Sequence, residues 1–347
     1  MEAAGFNLIK IWAVWRSNNP VDGVYNFSDL EKLMDIAERH SLRVIVNLIF
    51  DAAPSWFYKK HPESMMITAD GRKIYPKTNA CRQSGGYPGP CLHHPEGIRI
   101  RREFTEKLAE KLGNHPALLC WDVWNEPFLG GGFENDMACY CENTFERFVS
   151  WLKKRYGTIE GLNAVWHTYY GSFDVVEMPP CREAFRNMID WRLFFSETLT
   201  EEAKMRIDAV KRHDSLHPVM LHTVPMPFFS GINGCSDDYR LAAKCDWFGN
   251  SHGNDIEKRR ARKKGHKLRN TRRRRNDLRK TDPARLKNTE ASYPHPALKG
   301  NKGLLLLAVS PGADRDRIPR MGSYKHRRHT VGMAHDVVGD KQKASEA

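Results

Sequence analysis

Five short apolar runs recur along the first 251 residues, and most of them are separated by segments with helical periodicity. The runs are FNLIKIWAV, RVIVNLIF, ALLCWDVW, PVMLHTV and CDWFGNS. Consecutive apolar residues are typical of strands that are buried on both faces, and helical crossovers join strands that run parallel. The pattern therefore predicts an α/β fold, with a parallel sheet that is covered by helices.

The intervening segments carry signals for the ends of helices. Ser28 and Glu31 have the spacing of a capping box at the start of a segment with 3.6-residue periodicity. Gly113 and Gly157 each follow a periodic segment, at the position where glycine commonly ends a helix. A long amphipathic helix is predicted over roughly residues 185–212.

Polar or aromatic residues stand where several of the predicted strands end. In a closed (β/α) barrel, the carboxyl ends of the strands form the face that carries the active site. The sequence contains no G-x-G-x-x-G or Walker loop, which an open nucleotide-binding sheet would carry. We therefore predict a (β/α)8 TIM-type barrel.

The stretch CWDVWNEPF ends on an amide and a carboxyl group, Asn125 and Glu126. Loss of hydration at the mouth of a barrel favours the protonated form of a carboxyl group, which a general acid for glycosidic bond cleavage needs. A neighbouring amide can donate a hydrogen bond to a sugar hydroxyl. The alternative is that Glu126 caps the turn or helix that follows the strand.

The segment HPALLCWDVWNEP resembles the family 42 glycoside hydrolases, which are β-galactosidases built on (β/α)8 barrels. GGYPGPC precedes it, and CYCENTFERFVSWLKKRYGTIEGLNAVW and IDWRLF follow it, while GVYNFSDLEKLMDIAERHSLRVIVNL and AAPSWF resemble earlier barrel segments. The resemblance covers about residues 2–252. It implies retaining hydrolysis of terminal non-reducing β-D-galactosides without a cofactor for catalysis.

The resemblance also implies roles for single residues. Glu126 takes the position of the acid/base, and Asn125 lies near the sugar 2-hydroxyl. Further candidates for sugar contacts are Trp15, Trp56, Trp124, Asp51 and His222. For the tryptophans the alternative is a place in the core, and for the polar residues it is a hydrogen bond that stabilises a loop.

Many family members hold a structural zinc ion through four cysteines. In this chain Cys91, Cys139 and Cys141 occupy three of the four positions, and Thr144 occupies the last. Because zinc prefers four strong ligands, the set is incomplete. The alternatives are a site completed by water or another side chain, and three thiols without a metal.

The last 95 residues differ in composition from the rest of the chain. Residues 253–347 hold 26 Lys and Arg against 10 Asp and Glu, a net charge of +16, and all nine Trp precede them. We predict a partial barrel over 1–252 and a basic tail of low order over 253–347. Three explanations of the tail remain open: a shifted reading frame or misjoined gene, a disordered segment that binds polyanions such as nucleic acid without specificity, and a divergent completion of the barrel.

The family places its catalytic nucleophile at the end of the seventh strand. Glu290 is the only glutamate between positions 258 and 345, but its surroundings do not match the family motif. The resemblance implies that the first strand and the last two strands of the barrel are missing, which leaves a noncatalytic sugar-binding remnant as the rival function. Family members are often homotrimers. No run is long enough to span a membrane and no signal peptide is evident, so we expect a cytoplasmic protein.

Overall fold

The computed structural model describes residue 2 and residues 6–79, 82–128, 138–179, 186–223, 234–250 and 308–309. Glu290 and all of the predicted basic tail except residues 308–309 lie outside the described residues. The predictions about the nucleophile and about the order of the tail therefore stay predictions.

The five apolar runs form strands, as the sequence predicts. They are β1 (Leu8–Val14), β2 (Arg43–Ile49), β5 (Leu118–Asn125), β6 (Val219–Thr223) and β7 (Trp247–Asn250). Three further strands are β3 (Lys77–Asn79), β4 (Arg82–Tyr87) and β8 (Ala308–Val309). Of these three, only β8 falls in a segment that the sequence marks as apolar, GLLLLAV.

The main sheet has six strands in the order β7-β6-β5-β2-β1-β8, and every pair in it is parallel. The strands β3 and β4 form a separate antiparallel pair. Helices follow β1, β2, β5 and β6 along the chain. The architecture confirms the predicted α/β class and has the strand and helix order of a partial (β/α) barrel.

Eight α-helices are present in the described part of the chain. They are α1 (Trp15–Asn18), α2 (Ser28–Arg39), α3 (Ser55–Lys60), α4 (Pro95–Leu112), α5 (Glu142–Tyr156), α6 (Ile159–Trp166), α7 (Arg186–Lys211) and α8 (Asp238–Ala242). Two predicted helix ends are confirmed, since α4 ends before Gly113 and α5 ends before Gly157, whose φ is +74°. None of the helices in these ranges combines the length and hydrophobicity that crossing a membrane requires.

The predicted capping box at the start of α2 is wrong. Ser28 is the first helical residue, Phe27 holds the cap position, and no side chain caps the helix there. The amide of Ser28 instead donates to the side chain of Asn26 at 3.0 Å. The turn before the helix thus begins two residues earlier than the pattern S-x-x-E suggests.

Apolar residues cover both faces of the sheet. Ile9, Ile11 and Ala13 belong to the large cluster that also contains helical residues such as Leu30 and Phe104. The alternate positions of the strands contribute to a smaller cluster, which is formed by Leu8, Ile45, Leu119 and Cys120. Burial on both faces explains why the strands read as continuous apolar runs.

A buried ion-pair network joins α4 and α7 to the end of β5. Glu202 accepts hydrogen bonds from Nε of Arg101 at 2.8 Å and from Nε of Arg206 at 2.9 Å. Arg206 also donates to the backbone carbonyl of Val123 at 3.1 Å, and its guanidinium lies 3.9 Å from the centre of the Trp124 ring. The network therefore holds the last residues of β5, which lead directly to Glu126.

We expect acid to weaken the fold through Glu202. Burial by itself raises the pKa of this carboxyl group, but the charges of Arg101 and Arg206 outweigh it and lower the pKa to about 2. Unfolding restores the ordinary value of 4.5, so the unfolded chain binds more protons between pH 4.5 and 2. The contribution of about 3 kcal/mol is fully present above pH 4.5 and is lost as the pH falls towards 2.

Chemical unfolding at a series of pH values measures this loss. The free energy of unfolding should fall more steeply below pH 4.5 in the wild type than in a Glu202→Gln variant, which lacks the titrating group. Parallel curves for the two proteins would contradict the expectation.

Candidate active site

The carboxyl ends of the parallel strands bring four predicted site residues to one edge of the sheet. Asn125 is the last residue of β5 and pairs in register with His222 of β6. Glu126 follows it, and its amide donates to the carbonyl of His222 at 2.9 Å. Asp51 lies two residues beyond the end of β2, the neighbour of β5 on the other side. The structure thus places Asp51, Asn125, Glu126 and His222 at the edge where barrel enzymes carry their active sites.

Glu126 adopts a backbone conformation that is rare for a residue with a side chain. Its φ is +54°, in the left-handed region. Such a conformation costs of the order of 1–3 kcal/mol, persists only when the surroundings hold it, and clusters at functional sites. Here the hydrogen bond to His222 holds the peptide, and the side chain of Glu126 is partly exposed. The left-handed residue directly follows the end of the strand, at the carboxyl edge of the sheet.

Asn125 is buried beside Glu126. Its Oδ1 atom has no hydrogen-bond partner among the described residues. Because a buried polar atom without a partner is costly, Oδ1 of Asn125 can accept a hydrogen bond from a polar ligand at this edge.

Two of the three tryptophans predicted to contact sugar, Trp15 and Trp56, have different surroundings. Trp15 is fully buried, with its ring 5.9 Å from that of Phe50 and 5.1 Å from that of Phe57. It therefore packs in the core, and its ring offers no face to a sugar. Trp56 is partly exposed, and its Nε1 donates to the carbonyl of Asn19 at 2.8 Å. Of the two, only Trp56 is partly accessible to solvent.

Asp51 lies against the loop that precedes the cysteine cluster. A Cβ atom on Gly89 would stand 2.9 Å from the Cα of Asp51, and φ of Gly89 is +92°. Both the contact and the dihedral angle require glycine at this position. The close approach fixes the loop after β4 over the end of β2.

Beneath the edge, the sheet carries a buried polar cluster that the sequence analysis missed. Nζ of Lys10 and Nδ1 of His222 lie 2.6 Å and 2.8 Å from Oδ2 of Asp122, and the side chain of Asn47 donates to the backbone carbonyl of Asp122 at 2.8 Å. All four residues are buried. Burial raises the pKa of Asp122, but His222 and Lys10 outweigh it, so the pKa lies below the ordinary value.

This cluster gives His222 a contact inside the sheet. The sequence analysis offered its side chain for a sugar hydroxyl, and that stays a prediction: Nδ1 lies 2.8 Å from Oδ2 of Asp122, whereas Nε2 has no hydrogen-bond partner among the described residues. A signal for the cluster exists in the sequence, because Lys10, Asn47 and Asp122 each interrupt an apolar strand. A charged residue in the middle of a buried strand needs an opposite charge from another strand.

The three cysteines singled out in the sequence come together. The Sγ atoms of Cys91, Cys139 and Cys141 all lie within 4.8 Å of one another, and all three residues are buried. Hydrogen bonds from the neighbouring thiols lower the pKa of Cys141, and hydrogen bonds to Cys139 and Cys141 raise the pKa of Cys91. The cluster has the donor set of a soft metal site.

A second group, His61, Glu63 and His94, also has ligand atoms within 4.8 Å of one another. Nδ1 of His94 accepts from the amide of Gly97 at 3.3 Å, at the start of α4. The ring proton must then be on Nε2, which lies 3.0 Å from Oε1 of Glu63. With both nitrogens engaged in this way, His94 caps a helix and pairs with Glu63, and it offers no lone pair to a metal.

A family model described as beta-galactosidase, of the family 42 glycoside hydrolases, matches residues 1–287, which extends past residue 252. Beta-galactosidase LacZ of Heyndrickxia coagulans is 30% identical over 255 residues, which are 71% of this chain and 36% of that protein. Beta-galactosidase bgaB of Geobacillus kaustophilus is 31% identical over 208 residues, 57% of this chain and 29% of that protein. The chain thus spans about a third of the length of these curated relatives.

Solved structures show the same relationship. The beta-galactosidase from Bacillus circulans sp. alkalophilus superposes with a TM-score of 0.60 at 25% identity, over 73% of this chain and 37% of that one. A catalytic mutant of Gan42B, a GH42 beta-galactosidase from G. stearothermophilus, gives a TM-score of 0.62 at 25% identity, over 73% of this chain and 36% of that one.

Proposed function

Since the chain belongs to the family 42 glycoside hydrolases, whose model matches residues 1–287, we propose that it hydrolyses terminal non-reducing β-D-galactosides. The observation that carries the proposal is the carboxyl group of Glu126, held in a left-handed turn at the carboxyl edge of the sheet beside Asn125. Curated relatives that carry the name beta-galactosidase support the choice of sugar.

In the proposed mechanism, Glu126 protonates the leaving oxygen as the glycosidic bond breaks. A second carboxylate, about 5–5.5 Å from the carboxyl group of Glu126, attacks the sugar from the opposite face and forms a glycosyl-enzyme intermediate. Glu126, now ionised, then removes a proton from the water that releases the sugar. The side chain of Asn125 forms a hydrogen bond with the 2-hydroxyl, Trp56 and Asp51 contact the sugar, and the reaction requires no cofactor.

The nucleophile is the part of this mechanism without an assigned residue. Glu290 is a candidate in the sequence and lies outside the described residues. Release of nitrophenol from nitrophenyl β-galactoside by the purified full chain tests the proposed activity. Absence of release at high enzyme concentration would overturn it and favour a sugar-binding remnant.

We also propose that Cys91, Cys139 and Cys141 bind a structural zinc ion. The support is the approach of three buried sulfurs from two separate segments, one after β4 and one at the start of α5. Zinc there would link the two segments and would supply no chemistry to the reaction. Elemental analysis of the purified chain is the test, with about one zinc per chain expected.

A further inference from the structure

An oxygen atom lies against the cysteine cluster at the spacing of another sulfur. Oγ1 of Thr144 is 3.3 Å from Sγ of Cys91 and 3.4 Å from Sγ of Cys141, and these two sulfurs are 3.4 Å apart. Thr144 is fully buried and stands three residues after Cys141, in the first turn of α5. The hydroxyl oxygen therefore lies about as close to the sulfurs of Cys91 and Cys141 as these two sulfurs lie to each other.

The direction of the Thr144 hydroxyl proton follows from a chain of hydrogen bonds behind it. Oγ1 of Thr198 donates its single proton to the carbonyl of Phe194 at 3.1 Å. Nε2 of His93 lies 3.0 Å from Oγ1 of Thr198. Because Thr198 has no second proton to donate, it accepts from Nε2, which therefore carries the ring proton.

With its proton on Nε2, the neutral ring of His93 has a lone pair on Nδ1. Nδ1 lies 3.1 Å from Oγ1 of Thr144 and accepts the hydroxyl proton. The lone pairs of Thr144 Oγ1 are thereby left for the side on which Cys91 and Cys141 lie.

We infer that Thr144 Oγ1 is the fourth ligand of the three-cysteine metal site, and that His93 is a positioning residue which accepts the hydroxyl proton. The inference rests on the proposed metal site. Three thiolates and a neutral hydroxyl around a divalent ion leave a net charge of −1, against −2 for four thiolates. In a fully buried site the smaller charge carries a smaller desolvation cost, which favours oxygen at the fourth corner.

Cobalt in place of zinc tests the ligand set directly. The full chain is reduced, freed of metal and titrated with Co²⁺ under anaerobic conditions, and the sulfur-to-cobalt charge-transfer absorption is recorded per bound ion. Wild type should show a tetrahedral spectrum with three thiolates. Thr144→Cys should raise the charge-transfer intensity by about one third, the ratio of four thiolates to three, and should tighten binding.

Removal of the oxygen gives the opposite result. Thr144→Val keeps the shape of the side chain, and we expect it to weaken binding of cobalt and zinc about 10- to 100-fold, while Thr144→Ser retains the wild-type spectrum. Circular dichroism of each variant shows whether it folds. Equal affinity and an unchanged spectrum for a folded Thr144→Val variant would overturn the inference.

Substitution of His93 tests its role separately, through the affinity for cobalt. His93→Leu removes the acceptor and should weaken binding about 10-fold or more without a change in charge-transfer intensity, whereas His93→Gln restores an acceptor and part of the affinity. If His93→Leu binds as tightly as wild type, His93 has no positioning role.

The metal readouts are independent of galactoside hydrolysis, so an inactive chain leaves this test intact. If neither the wild type nor Thr144→Cys binds cobalt, the proposed metal site itself fails. If only Thr144→Cys binds it, Thr144 is not a ligand.

Discussion

Replacement of Glu126 by glutamine is expected to lower kcat for an aryl β-galactoside by about 10²- to 10⁴-fold. Glutamine has nearly the same shape, so the left-handed turn and the amide hydrogen bond to His222 should persist. It cannot give up or take a proton, which removes both the acid and the base step. Steady-state hydrolysis by purified wild type and variant measures the effect.

Rates on substrates with different leaving groups distinguish loss of proton transfer from general damage to the site. A dinitrophenyl leaving group needs little protonation, so its galactoside should lose less rate than a methyl galactoside does. Glu146→Gln is the matched control, because Glu146 is exposed on α5. It should leave both rates unchanged. Equal losses on the two substrates for Glu126→Gln would contradict the acid role.

Replacement of Glu202 by glutamine is expected to lower the free energy of unfolding by about 3–5 kcal/mol at neutral pH. The side chain of Glu202 is buried between Arg101 and Arg206 and accepts from both. Without its charge, two buried guanidinium groups lose their counter-ion. Chemical unfolding followed by circular dichroism measures the loss.

Glu201→Gln makes the same substitution one residue away on an exposed position of α7. Its free energy of unfolding should stay within about 0.5 kcal/mol of wild type. Similar stabilities for the two variants would show that the Arg101–Glu202–Arg206 network contributes little. Because Arg206 also contacts Val123 and Trp124, the Glu202 variant should lower hydrolysis as well, through loosening of the end of β5.

The fold was predictable because its signals are local. The five strands of the sheet lie where apolar runs stand in the sequence, and α4 and α5 end at Gly113 and Gly157. The cap of α2 was not predictable from S-x-x-E, because the cap depends on the path of the turn before it, where Asn26 bonds to Ser28.

In the candidate site, too, some residues were predictable from the sequence and others were not. Asn125 and Glu126 reach the carboxyl edge because they end a strand, and every parallel strand delivers its last residues to that edge. Trp15 follows a strand as well, but its ring turns into the core between Phe50 and Phe57. The direction of a side chain after a strand depends on the turn that follows, and the residue type alone does not fix it.

By itself, the sequence determined the order of strands and helices, the carboxyl group at the end of β5 and the three cysteines, because each is a property of neighbouring residues. Only the tertiary structure decided which distant groups meet. Lys10, Asp122 and His222 come from three strands, and His93 contacts Thr144 and Thr198, which are 51 and 105 residues away along the chain. Such contacts depend on strand order, register and the packing of helices against the sheet, and no local pattern of residues encodes them.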